Sequence, residues 1–292
     1  MNKKVLITGG SGFIGTNLIK KFNKKKIIII SKNNKNSIDK NLIYVKCDLK
    51  SKSKVYNLFK KVKPDLVYHL AWEGIPKFNN VNFEKNKTIT KNIIFAANNT
   101  KSKKIIVAGS CMEYNYHTIK KTFSEKSNVK CLSKLGKQKK KIYKIFKKSL
   151  NKDLIFIWAR IFYVYGHGQR KGSLLHSIIE CQKKNKIFKL ENGSINNDFI
   201  YIDDVVSALY LLQKMRESHI INISTSISTS NIDFINIYKK LSKLNENLLR
   251  PRFHKKKYLI GSNQKLKLFG WKPKYNLISG INKTIKKYNS GR

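Results

Sequence analysis

An α/β fold with a doubly wound parallel sheet is predicted by three features of this 292-residue chain. Short apolar runs alternate with longer amphipathic segments. A glycine-rich turn, Gly9-Gly10-Ser11-Gly12, follows the first run, and Pro64 separates one helical pattern from the next apolar run. Parallel neighbours need a crossover connection, usually a helix, so this alternation points to βαβ units.

Residues 5–8 read as the first strand, 13–22 as a helix, and 27–30 and 42–45 as the next two strands. Residues 55–62 are helical, and Pro64 breaks that pattern ahead of a strand at 66–69. A helix at 88–98 precedes a strand at 105–108. The segment 133–150 carries Leu135, Ile142, Ile145, Phe146 and Leu150 near helical period, and a strand at 154–158 follows. Beyond residue 165 the pattern loosens into helices at 174–181, 205–214, 232–244 and 278–288, with strand-like runs at 199–202 and 220–223. Residues 1–165 are expected to form the sheet domain. Residues 166–292 are expected to form mainly a smaller lobe, with part of 195–225 returning to the sheet.

Sixty-two Lys and Arg against 16 Asp and Glu give a formal charge of +46, which by itself suggests a nucleic-acid or membrane partner. The distribution argues otherwise. Only six of the basic residues are Arg, the residue that reads bases bidentately, and Lys decorates the polar face of almost every predicted helix. No specific nucleic-acid partner and no membrane association are expected. The four cysteines, Cys47, Cys111, Cys131 and Cys181, are far apart with no metal-ligand spacing, so no metal is expected and a reduced cytoplasmic location fits. Too few apolar residues precede the glycines for a signal-peptide core, and no apolar run is long enough to span a bilayer.

The glycine turn sits between the first strand and the first helix, where Gly9 permits a tight turn, Gly12 lets backbone approach a pyrophosphate, and Gly15 allows close helix–strand packing. With Phe13 and Ile14 at the opening of the helix, unpaired N–H groups are offered to the anion. In the form Thr8-Gly9-Gly10-Ser11-Gly12-Phe13-Ile14-Gly15 this loop resembles that of the extended short-chain dehydrogenase/reductase family. Those proteins are NAD(P)-dependent epimerases, dehydratases and reductases of nucleotide sugars. Further segments resemble family motifs in order along the chain: Asp48-Leu49, His69-Leu70-Ala71-Trp72, Gly109-Ser110-Cys111-Met112-Glu113-Tyr114, Arg160-Ile161-Phe162-Tyr163-Val164-Tyr165-Gly166, Asn197-Asp198-Phe199 and Gly270-Trp271-Lys272-Pro273.

The resemblance implies a Rossmann-type nucleotide-binding domain with a C-terminal substrate-binding lobe. It implies that Gly9, Gly12, Phe13, Ile14, Gly15, Asp48, Leu49, Leu70, Ala71 and Lys139 line the dinucleotide. The second strand ends without a carboxylate to grip a ribose hydroxyl, while Ser31, Lys32 and Lys35 suit a 2′-phosphate, so NADP is expected ahead of NAD. Ser110 and Lys139 take the catalytic positions, but the tyrosine expected four residues before Lys139 is Leu135, which cannot transfer a proton. The later Tyr143-Lys144-Ile145-Phe146-Lys147 match lies only 17 positions before Arg160, and Tyr143 is expected to pack on the apolar helix face.

Cys111 and Met112 occupy the positions of a dehydratase acid–base pair, which disfavours a 4,6-dehydratase. The segments at 69–74 and 109–114 more closely resemble the branch that reduces the 4-keto group of NDP-4-keto-6-deoxyhexoses. Trp72, Gln169, Asn197, Arg250 and Arg252 are then expected at the nucleotide-sugar, and Glu113 either contacts substrate or pairs with a buried cation. A nucleotide-sugar epimerase and a catalytically impaired nucleotide-binding homologue are the alternatives. Family resemblance also implies a homodimer.

Overall fold

A computed structural model describes residues 4–22, 26–31 and 39–290. In chain order it contains β1 (Val5–Thr8), α1 (Phe13–Ile19), β2 (Ile27–Ser31), β3 (Leu42–Lys46), α2 (Lys52–Val62), β4 (Leu66–His69), α3 (Asn80–Asn99), β5 (Lys104–Ser110) and β6 (Thr122–Phe123). There follow α4 (Lys134–Ser149), β7 (Ile155–Ile161), β8 (Tyr163–Tyr165), α5 (Leu174–Lys183), β9 (Phe188–Leu190), β10 (Ile195–Asn197), β11 (Phe199–Tyr201), α6 (Ile202–Leu212) and β12 (His219–Ile223). The last part holds β13 (Thr229–Ser230), α7 (Asn231–Ser242), β14 (Leu249–Pro251), β15 (Lys257–Gly261), α8 (Gln264–Leu268) and α9 (Leu277–Asn289).

These elements form two compact units. The first comprises Met1–Glu113, Val129–Arg160 and Val206–Ile221, and the second Tyr114–Asn128, Ile161–Val205 and Asn222–Arg292. Residues 114–128, placed in the first domain on sequence grounds, group with the second unit.

A seven-stranded parallel sheet in the order β12-β7-β5-β4-β1-β2-β3 is the frame of the first unit, as the alternation predicts. β1 pairs in parallel with β2 and with β4, so the C-terminal ends Thr8 and His69 lie side by side. β4 pairs in parallel with β5, setting His69 beside Val107. All five residues of β2 are buried, which is why this strand reads as a continuous apolar run rather than an alternation. Leu6, Val67, Ile105 and Trp158 join Val55, Phe59, Ile93, Ile142 and Phe146 in one buried cluster between sheet and helices. Their burial contributes of the order of 2 kcal/mol per large side chain.

Helix boundaries differ from the periodicity where polar residues hide it. α3 starts at Asn80, eight residues before the predicted 88, because Asn79 caps it by accepting from Asn82 N at 2.9 Å. Its first turns are rich in Asn and Lys, so no apolar repeat marks them. α1 ends at Ile19 rather than 22, and β7 runs on to Ile161 rather than 158.

The second unit contains a four-stranded sheet in the order β13-β10-β15-β6 and two parallel pairs, β8 with β11 and β9 with β14. Most of these strands are two or three residues long, too short for any period-2 pattern, and only β11 overlaps a sequence-predicted strand. A buried carboxylate ties the unit together. Asp198 accepts from Thr225 N and Oγ1, Ser226 N and Gly261 N at 2.7–3.2 Å. Burial raises its pKa to about 6, although these donors pull the other way. Among the described residues no helix is long and apolar enough to cross a membrane, and no group of three or more His, Cys, Asp or Glu could hold a metal ion.

Candidate active site

Thr8 ends β1, and the chain turns at Gly9 with φ of +71°, a left-handed conformation that favours glycine. A Cβ on Gly9 would lie 2.6 Å from Ala71 N and 2.8 Å from Leu70 C, so the glycine loop packs directly on the end of β4. A Cβ on Gly15 would collide with Gly9 O and lie 2.6 Å from Gly10 Cα. Thr8 Oγ1 accepts from Ala71 N at 3.2 Å and lies 2.8 Å from His69 Nδ1, joining the two strand ends. The structure therefore brings Gly9, Gly15, Leu70 and Ala71 together.

Gly12 is exposed, and a Cβ there would meet only Gly9 O at 3.3 Å, leaving open space on its other side. It is also the N-cap of α1, whose first turn gains no side-chain cap. Phe13 and Ile14 follow, half-buried. Ser31 ends β2 and is buried, whereas Lys32 and Lys35 lie outside the described residues. Asp48 turns the chain into α2 by accepting from Lys50 N at 3.0 Å, and Leu49 packs against the core cluster.

Ser110 and Lys139 converge at the far end of β5. Ser110 Oγ accepts from Met112 N at 3.2 Å, which orients the hydroxyl while leaving its own proton available for another acceptor. α4 begins with Ser133 accepting from Gly136 N at 3.0 Å. Gly136 touches the turn after β5: a Cβ there would collide with Met112 O and lie 2.8 Å from Met112 C. One turn further, Lys139 Nζ donates to Ala108 O at 2.6 Å and stands 3.7 Å from the centroid of the Trp72 ring. Lys139 is only 7% exposed, and burial drives its pKa down to about 7 against a smaller upward pull from Glu113. His69, on the other side, is held neutral by burial and by the charge of Lys139, its pKa falling to about 3.

Leu135, half-buried, precedes Lys139 by one helical turn. Tyr143 packs on the apolar face: its ring lies 5.4 Å from Trp158 and 5.9 Å from Phe156, against the apolar cluster.

Two substrate expectations need correction. Glu113 is 1% exposed, and its carboxylate accepts from Ser110 N at 2.9 Å, Trp158 Nε1 at 2.8 Å and Arg160 Nε at 3.0 Å. With both oxygens engaged inside the protein, it pairs with the buried cation rather than with substrate. Asn197 is 3% exposed, with Oδ1 accepting from Tyr116 OH at 2.8 Å and Nδ2 donating to Asn231 Oδ1 at 2.9 Å. Tyr116 also hydrogen-bonds the Tyr163 phenol, so Asn197 belongs to a side-chain network within the second unit. Arg250 lies exposed on β14 and Arg252 exposed just after it, where Arg252 meets Glu191 at 3.4 Å. Gln169 donates to Val164 O at 2.8 Å, and its Oε1 is buried without a partner.

Sequence reasoning missed three supporting residues. Thr8 bridges the strand ends, Arg160 neutralises Glu113, and Gly136 lets α4 approach the Ser110 turn. A glycine three residues after the start of the helix predicted over 133–150 was the available clue to the last.

A family model described as the NAD dependent epimerase/dehydratase family matches residues 5–224, and the chain belongs to that family. Among curated relatives, it is 30% identical over 267 residues to a dTDP-D-glucose 4,6-dehydratase of Dictyostelium discoideum, covering 79% of this chain and 60% of that protein. It is 28% identical to a GDP-6-deoxy-D-talose 4-dehydrogenase of Aggregatibacter actinomycetemcomitans, covering 90% of each. A CDP-abequose synthase of Salmonella typhimurium is 26% identical over 46% of this chain and 49% of its own length. The chain thus spans well under two thirds of two of these three relatives. Among solved structures, the UDP-glucose 4-epimerase of Thermotoga maritima with UDP-glucose superposes with a TM-score of 0.88 at 20% identity, covering 99% of both chains. A dTDP-glucose 4,6-dehydratase of Bacillus anthracis in complex with NAD gives 0.88 at 21%, covering 99% of this chain and 97% of that one. These likenesses establish the fold.

Proposed function

We propose that the protein is an NADP(H)-dependent reductase of the 4-keto group of an NDP-4-keto-6-deoxyhexose. The observation that carries this reading is that Lys139 reaches Ala108 O on the strand that ends at Ser110, with no carboxylate immediately after Ser110. Cys111 and Met112 occupy the next two positions, and Cys111 is buried, so the side chains for eliminating water from a sugar are missing there. One of the named relatives, the GDP-6-deoxy-D-talose 4-dehydrogenase, supports a reaction at C4.

The residues present fit a dinucleotide. Gly12 keeps one side open where a Cβ would face only Gly9 O, and Trp72 Nε1 is a buried donor with no protein partner beside Lys139. The loop from Gly9 to Gly15 would hold the pyrophosphate, Asp48 and Leu49 the adenine side, and Leu70, Ala71 and Lys139 the nicotinamide half. When bound, the nicotinamide supplies a hydride to the carbonyl carbon. Ser110 would orient the carbonyl oxygen through its hydroxyl proton and Trp72 would offer an N–H, while the sequence at Ser31, Lys32 and Lys35 favours a 2′-phosphate.

Purified protein mixed with NADPH and a dTDP-, CDP- or GDP-4-keto-6-deoxyhexose should lose absorbance at the reduced-nicotinamide band only when sugar is present, and faster with NADPH than with NADH. A second reading, a nucleotide-binding protein without turnover, is favoured by Leu135 alone. Tight NADPH binding with no turnover by wild type or by Leu135→Tyr would establish it and remove the reductase.

Binding itself has a separate check. Gly9→Ala places a Cβ against Ala71 N in a left-handed conformation, so the loop must move. NADPH affinity, read by its fluorescence, should fall at least about tenfold, a loss of 1.4 kcal/mol. Unchanged affinity would put the dinucleotide elsewhere.

A further inference from the structure

The place of the missing tyrosine is occupied by a leucine, yet one turn away the same helix presents a buried ammonium. Lys139 Nζ gives one proton to Ala108 O at 2.6 Å and faces the Trp72 ring at 3.7 Å. Ala108 and Ser110, at the end of the strand it reaches, are half-buried, so this end of β5 stays open to a ligand. We propose that Lys139 is itself the proton donor to the substrate carbonyl oxygen, the role that Leu135 cannot perform. This rests on the ketoreductase reading. As the hydride reaches carbon, the carbonyl π pair moves onto oxygen and takes a proton from Nζ. Lys139 is left as a neutral amine and regains its proton from solvent, so the net reaction consumes one hydride and one proton.

The surrounding charges favour this use. Of the groups that face Lys139, Glu113 comes from the turn after β5 but is already bound by Arg160 of β7 and by Trp158. His69, from the end of β4, is neutral and hydrogen-bonded to Thr8. α3 carries a single carboxylate, Glu84, which pairs with Lys87 at the surface. On α4, Lys140 turns its Nζ to Val129 O. Among the described residues no ion pair holds the Lys139 ammonium, and burial leaves it titrating near 7, where a lysine serves as a general acid at neutral pH. A tyrosine phenol would need activation to do the same.

The test has an unliganded and a catalytic arm. Without ligand, the tryptophan emission of wild type minus that of Trp72→Phe should titrate with a midpoint near 7, because the charge beside the indole appears and disappears. The transition should vanish in Lys139→Met. With saturating NADPH and the keto-sugar, kcat/KM for reduction should fall about tenfold per pH unit above 7, since the protonated amine is required. Lys139→Met should lose roughly 100-fold or more, and so should Lys139→Arg, because a guanidinium does not release its proton. A midpoint above 9, or turnover in Lys139→Met within threefold of wild type, overturns the proposal while leaving the ketoreductase in place. Absence of turnover in wild type itself removes the reductase reading and the proposal with it.

Discussion

Replacing Glu113 with alanine should destabilise the protein by about 4 kcal/mol and lower its Tm by roughly 10 °C. The reason is what the substitution leaves behind. Arg160 is 3% exposed and its guanidinium meets the Glu113 carboxylate at 3.0 Å, so removing the carboxylate takes a hydrogen-bonded counter-charge away from a buried guanidinium. Trp158 Nε1 and Ser110 N lose their acceptor in the same step. Gly109 shows how closely this network is fitted, since a Cβ there would lie 2.5 Å from Trp158 Nε1 and 2.9 Å from Glu113 Oε1. Glu113→Gln keeps an acceptor oxygen and should lose less. Adding Arg160→Met to Glu113→Ala should recover part of the loss, a coupling that double-mutant analysis by thermal melting would expose. A loss below about 1 kcal/mol in Glu113→Ala would mean that water reaches Arg160 and that the pair is not sealed.

Gly136→Ala should cost about 3 kcal/mol and remove most activity. On an exposed helix the same exchange would help, since alanine is the better helix former by about 1 kcal/mol. Here the new methyl meets the backbone carbonyl of Met112, which cannot rotate aside as a side chain would. α4 has to retreat, and Lys139, one turn further on, moves off Ala108 O as it does so. Urea melts together with the Lys139-dependent tryptophan titration distinguish this from a simple loss of fold. A Gly136→Ala protein at least as stable as wild type would show that α4 approaches the Ser110 turn less closely than described.

The frame of the first unit was legible in sequence because its determinants are local. Buried parallel strands announce themselves as apolar runs such as Ile27–Ile30, and the turn after β1 needs glycine at Gly9 for backbone reasons visible in the spacing alone. Lys139 is singled out by its position alone, and Tyr143 packs on the apolar face that the helix period predicts. Glu113 was harder. Its partners Trp158 and Arg160 lie 45 and 47 residues away, and no local pattern says which of a ligand or a cation an acidic side chain will meet. Asn197 hid for the same reason, its two neighbours Tyr116 and Asn231 coming from distant parts of the chain. The short strands of the second unit exist only through their pairings, such as Asn196 with Tyr258, and carry no period of their own.

Asp198 bears on the order in which the molecule is made. Its carboxylate takes donors from Thr225 and Ser226, and from Gly261, 63 positions later. During synthesis from the N-terminus, that buried acid waits without its full complement until Gly261 has left the ribosome. The second unit therefore cannot lock early and extend piecemeal. Its buried carboxylate is fully satisfied only once residues as far as Gly261 are available.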